Sequence, residues 1–271
     1  MNRRIVVGVD GSAPAMAAVE WAAADARRRG AGLRIVHVCE QCPQAEHCAR
    51  ALAAAGERAR ELADGVEVST EVLPGNVIKT LITESASADS LVLGTRGLGG
   101  FAEMVVGSVS MAVAGHAEGP VVVVHAPSVK PHGRVVLGYD RSEHSEAAME
   151  YAIEQARARA VPLHVVFAWQ TPVFSPYMAA YNSLLVDAYQ ADTRAVAESV
   201  AQWREKNPGV EITHEAVTGH PVHVLARAGE SADLVVVGSR GLGGLASSVL
   251  GSVSHGVMHH VACPVAVVRP H

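Results

Sequence analysis

The 271-residue chain is 49% hydrophobic, 18% charged and only 4% aromatic, and its formal net charge at pH 7 is −5. This length suits two modest domains, and a chain without a basic excess is a poor candidate for nucleic-acid binding. No apolar run approaches the ~18 residues of a membrane span, and the N-terminal run is too short for a secretory signal. We therefore expect a cytoplasmic protein without a membrane partner, whose four cysteines are thiols or ligands rather than disulfides.

The first 126 residues predict five strands separated by four helices. Short Val-rich runs bounded by turn residues indicate the strands, at residues 4–9, 33–38, 66–73, 91–93 and 121–124. Ser12 is expected to cap the first helix and Gly30 to end it. Further helices are expected at residues 49–63, at residues 76–87, and from Ser108 to the break imposed by Pro120. Residues 39–48 are expected to form a turn-rich insertion.

The pattern then restarts after a proline-containing linker. The opening strand recurs at an offset of 130 residues, as between Arg4 and Arg134, and from the third strand onward the offset is 144. The extra residues of the second half are expected within residues 170–185. A period this long indicates duplication of a whole domain rather than a solenoid. We predict domains at residues 1–126 and 134–271, joined by a linker at residues 127–133.

The alternation of strands and helices predicts the fold class. Each half should be an α/β domain with a doubly wound, parallel, five-stranded sheet. Ligands of such sheets bind beyond the carboxyl ends of the strands. Asp10, Val38 and Gly94 all fall at such ends, so the predicted topology brings them together.

A glycine-rich motif follows the fourth strand of each half. The spacing Gly94-x2-Gly97-x9-Gly107-Ser108 recurs as Gly238-x2-Gly241-x9-Gly251-Ser252. Glycines permit close backbone approach, and the helix that begins at each Gly-Ser offers free amides and a positive dipole end to a phosphate. No Gly-Lys-Ser/Thr follows, which excludes a P-loop, and no Gly-x-Gly-x-x-Gly follows the first strand. The alternative is that these glycines only permit tight turns between strand and helix.

With an aspartate after the first strand and this glycine motif after the fourth, both halves resemble the universal stress protein family, in particular its tandem-domain members of the ATP-binding type. The match covers essentially the whole chain, twice. The resemblance implies a fold of the adenine nucleotide alpha hydrolase-like type. It also implies one ATP per half, with Mg²⁺ as a candidate companion ion.

The resemblance further implies which residues contact the nucleotide. Asp10 and Asp140 would contact the ribose or the metal, and the backbone of Val38 and Ala168 would contact adenine. The remaining candidate residues, which surround the phosphates, are Gly11, Gly94, Arg96, Gly97, Gly107, Ser108, Val109 and Ser110 in the first half, and Gly238, Arg240, Gly241, Gly251, Ser252, Val253 and Ser254 in the second.

Two pairs of charged candidates have other interpretations. Asp10 and Asp140 precede Ser12 and Ser142, so they can also serve as turn or helix-capping residues, and the two roles are compatible. Arg96 and Arg240 can neutralise phosphate, or they can be solvated arginines of an exposed loop.

A cluster of cysteines distinguishes the first half from the second. Cys39, Cys42, His47 and Cys48 lie within ten residues, in a spacing that matches no common zinc motif. The interpretations left open are a metal site, a redox pair formed by Cys39 and Cys42, and incidental thiols in a loop.

Three functions follow from these observations. The first is a regulatory, stress-response protein that binds one adenine nucleotide per domain and hydrolyses it slowly or not at all. The second is a slow ATPase, although the sequence offers no catalytic constellation. The third is a redox or metal sensor acting through the cysteine cluster.

For assembly, we expect the last strands of the two halves, which would otherwise be open apolar edges, to pair in an intramolecular pseudo-dimer. A homodimer of whole chains is a further alternative.

Overall fold

The computed structural model describes residues 3–39, 45–97, 106–125, 131–170, 182–242 and 249–270. Its strands are β1 (Arg4–Gly8), β2 (Gly32–Cys39), β3 (Val68–Pro74), β4 (Ser90–Gly94), β5 (Val121–Val124), β6 (Val135–Gly138), β7 (Leu163–Trp169), β8 (Ile212–Thr218), β9 (Leu234–Gly238) and β10 (Val265–Val268). Its helices are α1 (Ala13–Arg29), α2 (Ala45–Leu62), α3 (Val77–Ser85), α4 (Ser108–His116), α5 (Glu143–Arg159), α6 (Asn182–Lys206), α7 (Pro221–Gly229) and α8 (Ser252–His260).

Local sequence signals set the ends of the first helix in each half. The Ser12 hydroxyl accepts a hydrogen bond from the amide of Ala15, and Gly30 ends α1 in the left-handed conformation at φ 60°. In the second half the Ser142 hydroxyl caps α5 in the same way. There the left-handed position is held by Ala160 at φ 54°, so the geometry is retained without glycine.

All ten strands belong to one sheet, in the order β3-β2-β1-β4-β5-β10-β9-β6-β7-β8. Within each half every neighbouring pair is parallel, which confirms the predicted doubly wound α/β fold. Helices cover both faces of the sheet, so the central strands are mostly apolar. β4, β5, β9 and β10 are buried at every position.

The two halves meet at their last strands. β5 and β10 pair antiparallel, with Val265 opposite Val123 and Val267 opposite Val121. Each of these strands already has a parallel neighbour on its other side, so neither is an open edge. The outer edges of the sheet are β3 and β8, which are largely exposed or half-buried.

A second contact between the halves joins α1 to α5. Asp25 and Gln155 occupy equivalent positions at the 130-residue offset, and the Gln155 amide donates to the Asp25 carboxylate at 3.2 Å. Both side chains are fully buried. Arg29 and Arg159 are also equivalent, and both bind Asp25, at 3.6 and 3.1 Å. A buried, charged contact therefore joins the two halves.

Two features differ from the sequence-based expectations. The second helix begins at Ala45 rather than at residue 49, so Cys48 lies in a helix and not in a turn-rich insertion. In the second half, α6 begins at Asn182 and is 25 residues long, against 18 for α2, so part of the extra sequence lengthens this helix. Residues 171–181 of the predicted insertion, and 127–130 of the predicted linker, lie outside the described residues.

Within the part of the chain that the structure describes, no helix combines the length and the apolar character that crossing a membrane requires.

Candidate functional site

Asp10 lies where the carboxyl ends of β1 and β4 meet. Its carboxylate Oδ1 accepts a hydrogen bond from the Ser12 amide at 3.0 Å, which is the turn-forming role anticipated as an alternative. Gly97, just beyond β4, lies so close to the other carboxylate oxygen that any Cβ there would collide with it. The Ser12 hydroxyl also donates to the Arg96 carbonyl, at 3.2 Å. The aspartate turn and the glycine loop are therefore one structural unit.

The second half builds a corresponding unit around Asp140. Oδ1 of Asp140 accepts from the amide of Ser142 at 3.0 Å and from its hydroxyl at 2.6 Å. Oδ2 accepts from the Leu242 amide at 3.1 Å, and a Cβ at Gly241 would stand 2.5 Å from it. Asp140 thus ties the turn after β6 to the loop after β9.

Gly94 and Gly238 pack closely against the first helix of their half. A Cβ at Gly94 would lie 2.6 Å from the carbonyl carbon of Pro14, and one at Gly238 would lie 2.7 Å from that of His144. Both glycines are buried at the ends of their strands. They permit the first turns of α1 and α5 to pack on the sheet, so close helix packing by itself requires glycine at these two positions, and their predicted place near the phosphates stays a prediction.

Gly107 and Gly251 precede the helices that the sequence assigned to phosphate binding. They are the N-cap residues of α4 and α8, with extended backbone at φ −76° and −71°, and no side chain of the described residues caps either helix. Their own amides donate to the carbonyls of Thr95 and Ser239, at 2.6 and 2.7 Å. An uncapped helix start presents its first amides and its positive dipole end to whatever lies before it.

The residues after these glycines divide into two groups. Ser108 and Ser252 are exposed, and Val109 and Val253 are half-buried. The other two serines are buried, and their hydroxyls donate to the last carbonyl of the preceding strand: Ser110 to Gly94 at 2.7 Å and Ser254 to Gly238 at 2.6 Å. These two hydroxyls therefore anchor α4 and α8 to the sheet.

The candidate adenine contacts lie one strand away from the aspartates. Val38 and Ala168 are half-buried near the carboxyl ends of β2 and β7, which pair with β1 and β6. Gly11, in the turn between β1 and α1, has a left-handed backbone at φ 88°. Its equivalent in the second half is Arg141, which adopts φ 65° and contacts Asp192 at 3.5 Å.

The two arginines of the glycine loops lie in different surroundings. Arg96 is exposed, whereas Arg240 is half-buried, and its Nε–H donates to Nε2 of His144 at 3.2 Å. Nδ1 of His144 is 2.9 Å from the Ser239 hydroxyl. Because Nε2 accepts from Arg240, the neutral ring carries its proton on Nδ1, which donates to this hydroxyl. Burial, followed by the charges of Arg240 and Arg269, lowers the pKa of His144.

Sequence reasoning missed His144. Its first-half equivalent at the 130-residue offset is Pro14, so the repeat itself offered no signal. The neutral imidazole holds Arg240 at the edge of the second site. Both ring nitrogens are already engaged, so His144 orients Arg240 and is not placed to act as a base.

The structure brings together two members of the cysteine cluster, Cys39 and Cys48. Cys39 ends β2, Cys48 lies in α2, and their sulfur atoms are 3.7 Å apart. Cys42 and the side chain of His47 lie outside the described residues. Among the side chains that are described, no group of three or more metal-ligating residues comes together. The predicted metal site therefore stays a prediction.

Comparison with known proteins identifies the family of the chain. The model of the universal stress protein family matches residues 1–125 and 132–269. A universal stress protein of Mycolicibacterium smegmatis is 34% identical over 291 residues, covering 98% of this chain and 97% of the relative. One from Mycobacterium tuberculosis is 34% identical over 288 residues, covering 98% and 96%. The crystal structure of a universal stress protein from Archaeoglobus fulgidus shares the fold with a TM-score of 0.74, at 21% identity, covering 99% of this chain and 97% of that one. The chain belongs to the universal stress protein family, with two copies of the family's domain.

Proposed function

We propose that this protein is a regulatory, stress-response protein that binds an adenine nucleotide, with ATP as the expected ligand, in each of its two domains. One observation carries the proposal. In both halves a helix start that no described side chain caps, preceded by Gly107 or Gly251, is fixed to the end of a central strand beside an aspartate turn. Such a helix start favours a phosphate group.

Each part of the nucleotide has a counterpart in this arrangement. The phosphates would lie at the exposed first turns of α4 and α8, close to the amides of Ser108 to Ser110 and their equivalents. Asp10 and Asp140 would face the ribose or hold Mg²⁺, since each is fixed at a strand end by hydrogen bonds to its own turn. Carboxylate oxygens are ligands that Mg²⁺ prefers. Adenine would lie near Val38 and Ala168, one strand further along the sheet.

The proposal extends to assembly and location. The pairing of β5 with β10 supports an intramolecular pseudo-dimer of the two domains, stabilised also by the contact of Asp25 with Gln155. We propose a cytoplasmic location, as expected for a nucleotide-dependent regulator. Association of two whole chains would then use surfaces other than β5 and β10, because both are already paired on each side.

The binding of ATP is tested by titration calorimetry on the full chain. We expect two nucleotides per chain for the wild type and one for Gly107→Val or Gly251→Val. A valine side chain would stand where the phosphates approach the helix start. The φ values at both positions are accessible to any residue. An added Cβ would lie 3.3 Å from a backbone atom at Gly107 and 3.2 Å from one at Gly251, so the neighbouring backbone must yield slightly. Thermal melting identifies any loss of binding that is due to unfolding. Absence of adenine-nucleotide affinity in the wild type would refute the proposal.

Hydrolysis is expected to be slow. Phosphoryl transfer needs a positioned nucleophile and charge neutralisation at the γ-phosphate. The described residues offer amides, one carboxylate per half and, in the second half, Arg240 held by His144. A cradle that binds substrate and transition state equally tightens binding without accelerating the reaction. We therefore expect turnover far below the ~10 s⁻¹ typical of enzymes.

A single-turnover assay separates a binding protein from an enzyme. Asp10→Ala and Asp140→Ala should weaken ATP binding more than they change the hydrolysis rate per bound nucleotide. Rapid hydrolysis by the wild type, abolished in either variant while binding persists, would instead identify an ATPase.

A further inference from the structure

The only two cysteine sulfurs that approach each other in the described residues are those of Cys39 and Cys48, 3.7 Å apart. They come from different elements, the end of β2 and the body of α2. A disulfide requires an S–S distance of about 2.05 Å, so closure needs the two sulfur atoms to approach each other by about 1.7 Å. The cysteine spacing alone had pointed to Cys39 and Cys42.

Both thiols are held in place by their elements. β2 is paired with β3 up to Cys39, which lies opposite Pro74, and the Cys39 carbonyl accepts from the Gly75 amide at 3.2 Å. Cys39 is half-buried, whereas Cys48 is only 2% exposed. An oxidant in solvent therefore reaches Cys39 first, and Cys48 is positioned behind it.

The second half shows that the fold itself does not require this pair. The equivalent of Cys39 at the 130-residue offset is Trp169, whose ring packs edge-to-face on Tyr189 of α6, with ring centroids 5.3 Å apart. The same junction between strand and helix is thus closed by aromatic packing in one half and by two thiols in the other. The first half therefore differs from the second in having two thiols at this junction, which the packing of the fold does not require.

We propose that Cys39 and Cys48 form a two-electron redox site that responds to hydroperoxides. The hydroperoxide transfers one oxygen atom to the Cys39 sulfur, which becomes a sulfenic acid, and is itself reduced to water, or to an alcohol if it is organic. The Cys48 thiol then attacks the Cys39 sulfur and displaces the hydroxyl group, which leaves as water with the thiol proton. The products are one disulfide, one water from the second step, and the water or alcohol from the first, and the peroxide accepts both electrons.

Cys263 provides an internal control. Burial raises the pKa of its thiol to about 12, so almost no reactive thiolate is present at neutral pH. Cys263 should therefore stay reduced at peroxide concentrations that oxidise Cys39.

The test is disulfide mapping of the full-length protein after treatment with hydrogen peroxide and alkylation of the remaining thiols. Trypsin is unsuitable, because residues 35–50 contain three cysteines and no internal Lys or Arg. Cleavage after glutamate separates them, since Glu40 and Glu46 lie between the cysteines. We expect peptide 21–40 joined to peptide 47–57, with peptide 41–46 and the Cys263 peptide alkylated.

Variants and metal analysis exclude the alternatives. Cys42→Ser should retain the cross-link, and Cys48→Ser should lose it and leave Cys39 as a sulfenic acid that dimedone traps. A main product that joins Cys39 to Cys42, or no cross-link at a peroxide excess that has consumed the Cys39 thiol, would overturn the proposal. A stoichiometric metal ion in the purified protein that is lost in Cys39→Ser would also overturn it, in favour of a metal site.

The thiol pair also borders the proposed nucleotide site, and this consequence rests on the proposed function. Cys39 directly follows Val38, so drawing the Cys39 sulfur towards α2 should shift the backbone proposed to contact adenine. We expect peroxide to weaken one of the two ATP sites of the wild type and neither site of Cys48→Ser. A mapped disulfide with two unchanged ATP affinities would leave the redox site in place and refute only the coupling. Absence of ATP binding to the reduced protein would refute the proposed function without affecting the mapping result.

Discussion

Replacing Asp25 with alanine should destabilise the protein by about 3–5 kcal/mol, because a buried ion pair that loses one partner leaves an uncompensated charge. Asp25 is fully buried and binds Arg159 at 3.1 Å, Arg28 at 3.3 Å and Arg29 at 3.6 Å. Arg29 keeps Asp89 and Glu154 as partners, at 3.4 and 3.3 Å. Asp25 is the carboxylate that the structure pairs with Arg159, whose side chain is 7% exposed. The stability lost in Asp25→Ala should therefore come mainly from the contact between α1 and α5.

The measurement is urea denaturation followed by far-ultraviolet circular dichroism. Asp192→Ala is the matched control, because Asp192 pairs with Arg141 at 3.5 Å but the two side chains are 44% and 38% exposed. Exposed pairs contribute about 0–1 kcal/mol, so this control should unfold close to the wild type. If Asp25→Ala and Asp192→Ala lowered the free energy of unfolding equally and only slightly, the buried charges of Arg29 and Arg159 would be compensated without Asp25.

Gly94→Ala is the second substitution with a large expected effect. The new Cβ would lie 2.6 Å from the Pro14 carbonyl carbon, 2.7 Å from its oxygen and 2.8 Å from the Ala15 nitrogen. These are backbone atoms of the first turn of α1, so no side-chain rotation relieves the contact. The strand would have to separate from the helix in the middle of the sheet. Overpacking of this kind costs about 3 kcal/mol, and displacement of the helix start should also weaken ATP binding in the first domain.

Gly209→Ala is the matched control for this substitution. An added Cβ at Gly209 meets no atom within 4 Å, and the residue has no positive φ. Such a change reduces the freedom of the unfolded chain and is neutral or mildly stabilising, by about 0.4–1 kcal/mol. Thermal melting of the two alanine variants compares them directly. A Gly94→Ala protein as stable as Gly209→Ala would show that the contact with α1 can relax.

The sequence by itself determined the fold and the outline of the site. Short Val-rich runs alternating with helical segments are compatible only with strands buried on both faces, so the parallel, doubly wound sheet could be predicted. Ser12 and Gly30 set the ends of α1 by interactions within a few residues, and the structure has both. The repeated glycine spacing predicted that a helix starts near the end of the fourth strand in each half. This was possible because the ends of the strands can be located from the sequence pattern.

Tertiary structure decided which residues touch across those elements. Gly94 faces α1, the thiol partner of Cys39 is Cys48 of α2, and His144 orients Arg240 from a residue almost a hundred positions away. Asp25 meets Gln155 across the two halves. The sequence pattern records which face of an element is apolar but not which distant side chain lies opposite it. Those contacts are set by how helices pack on the sheet and on each other, so only the folded chain reveals them.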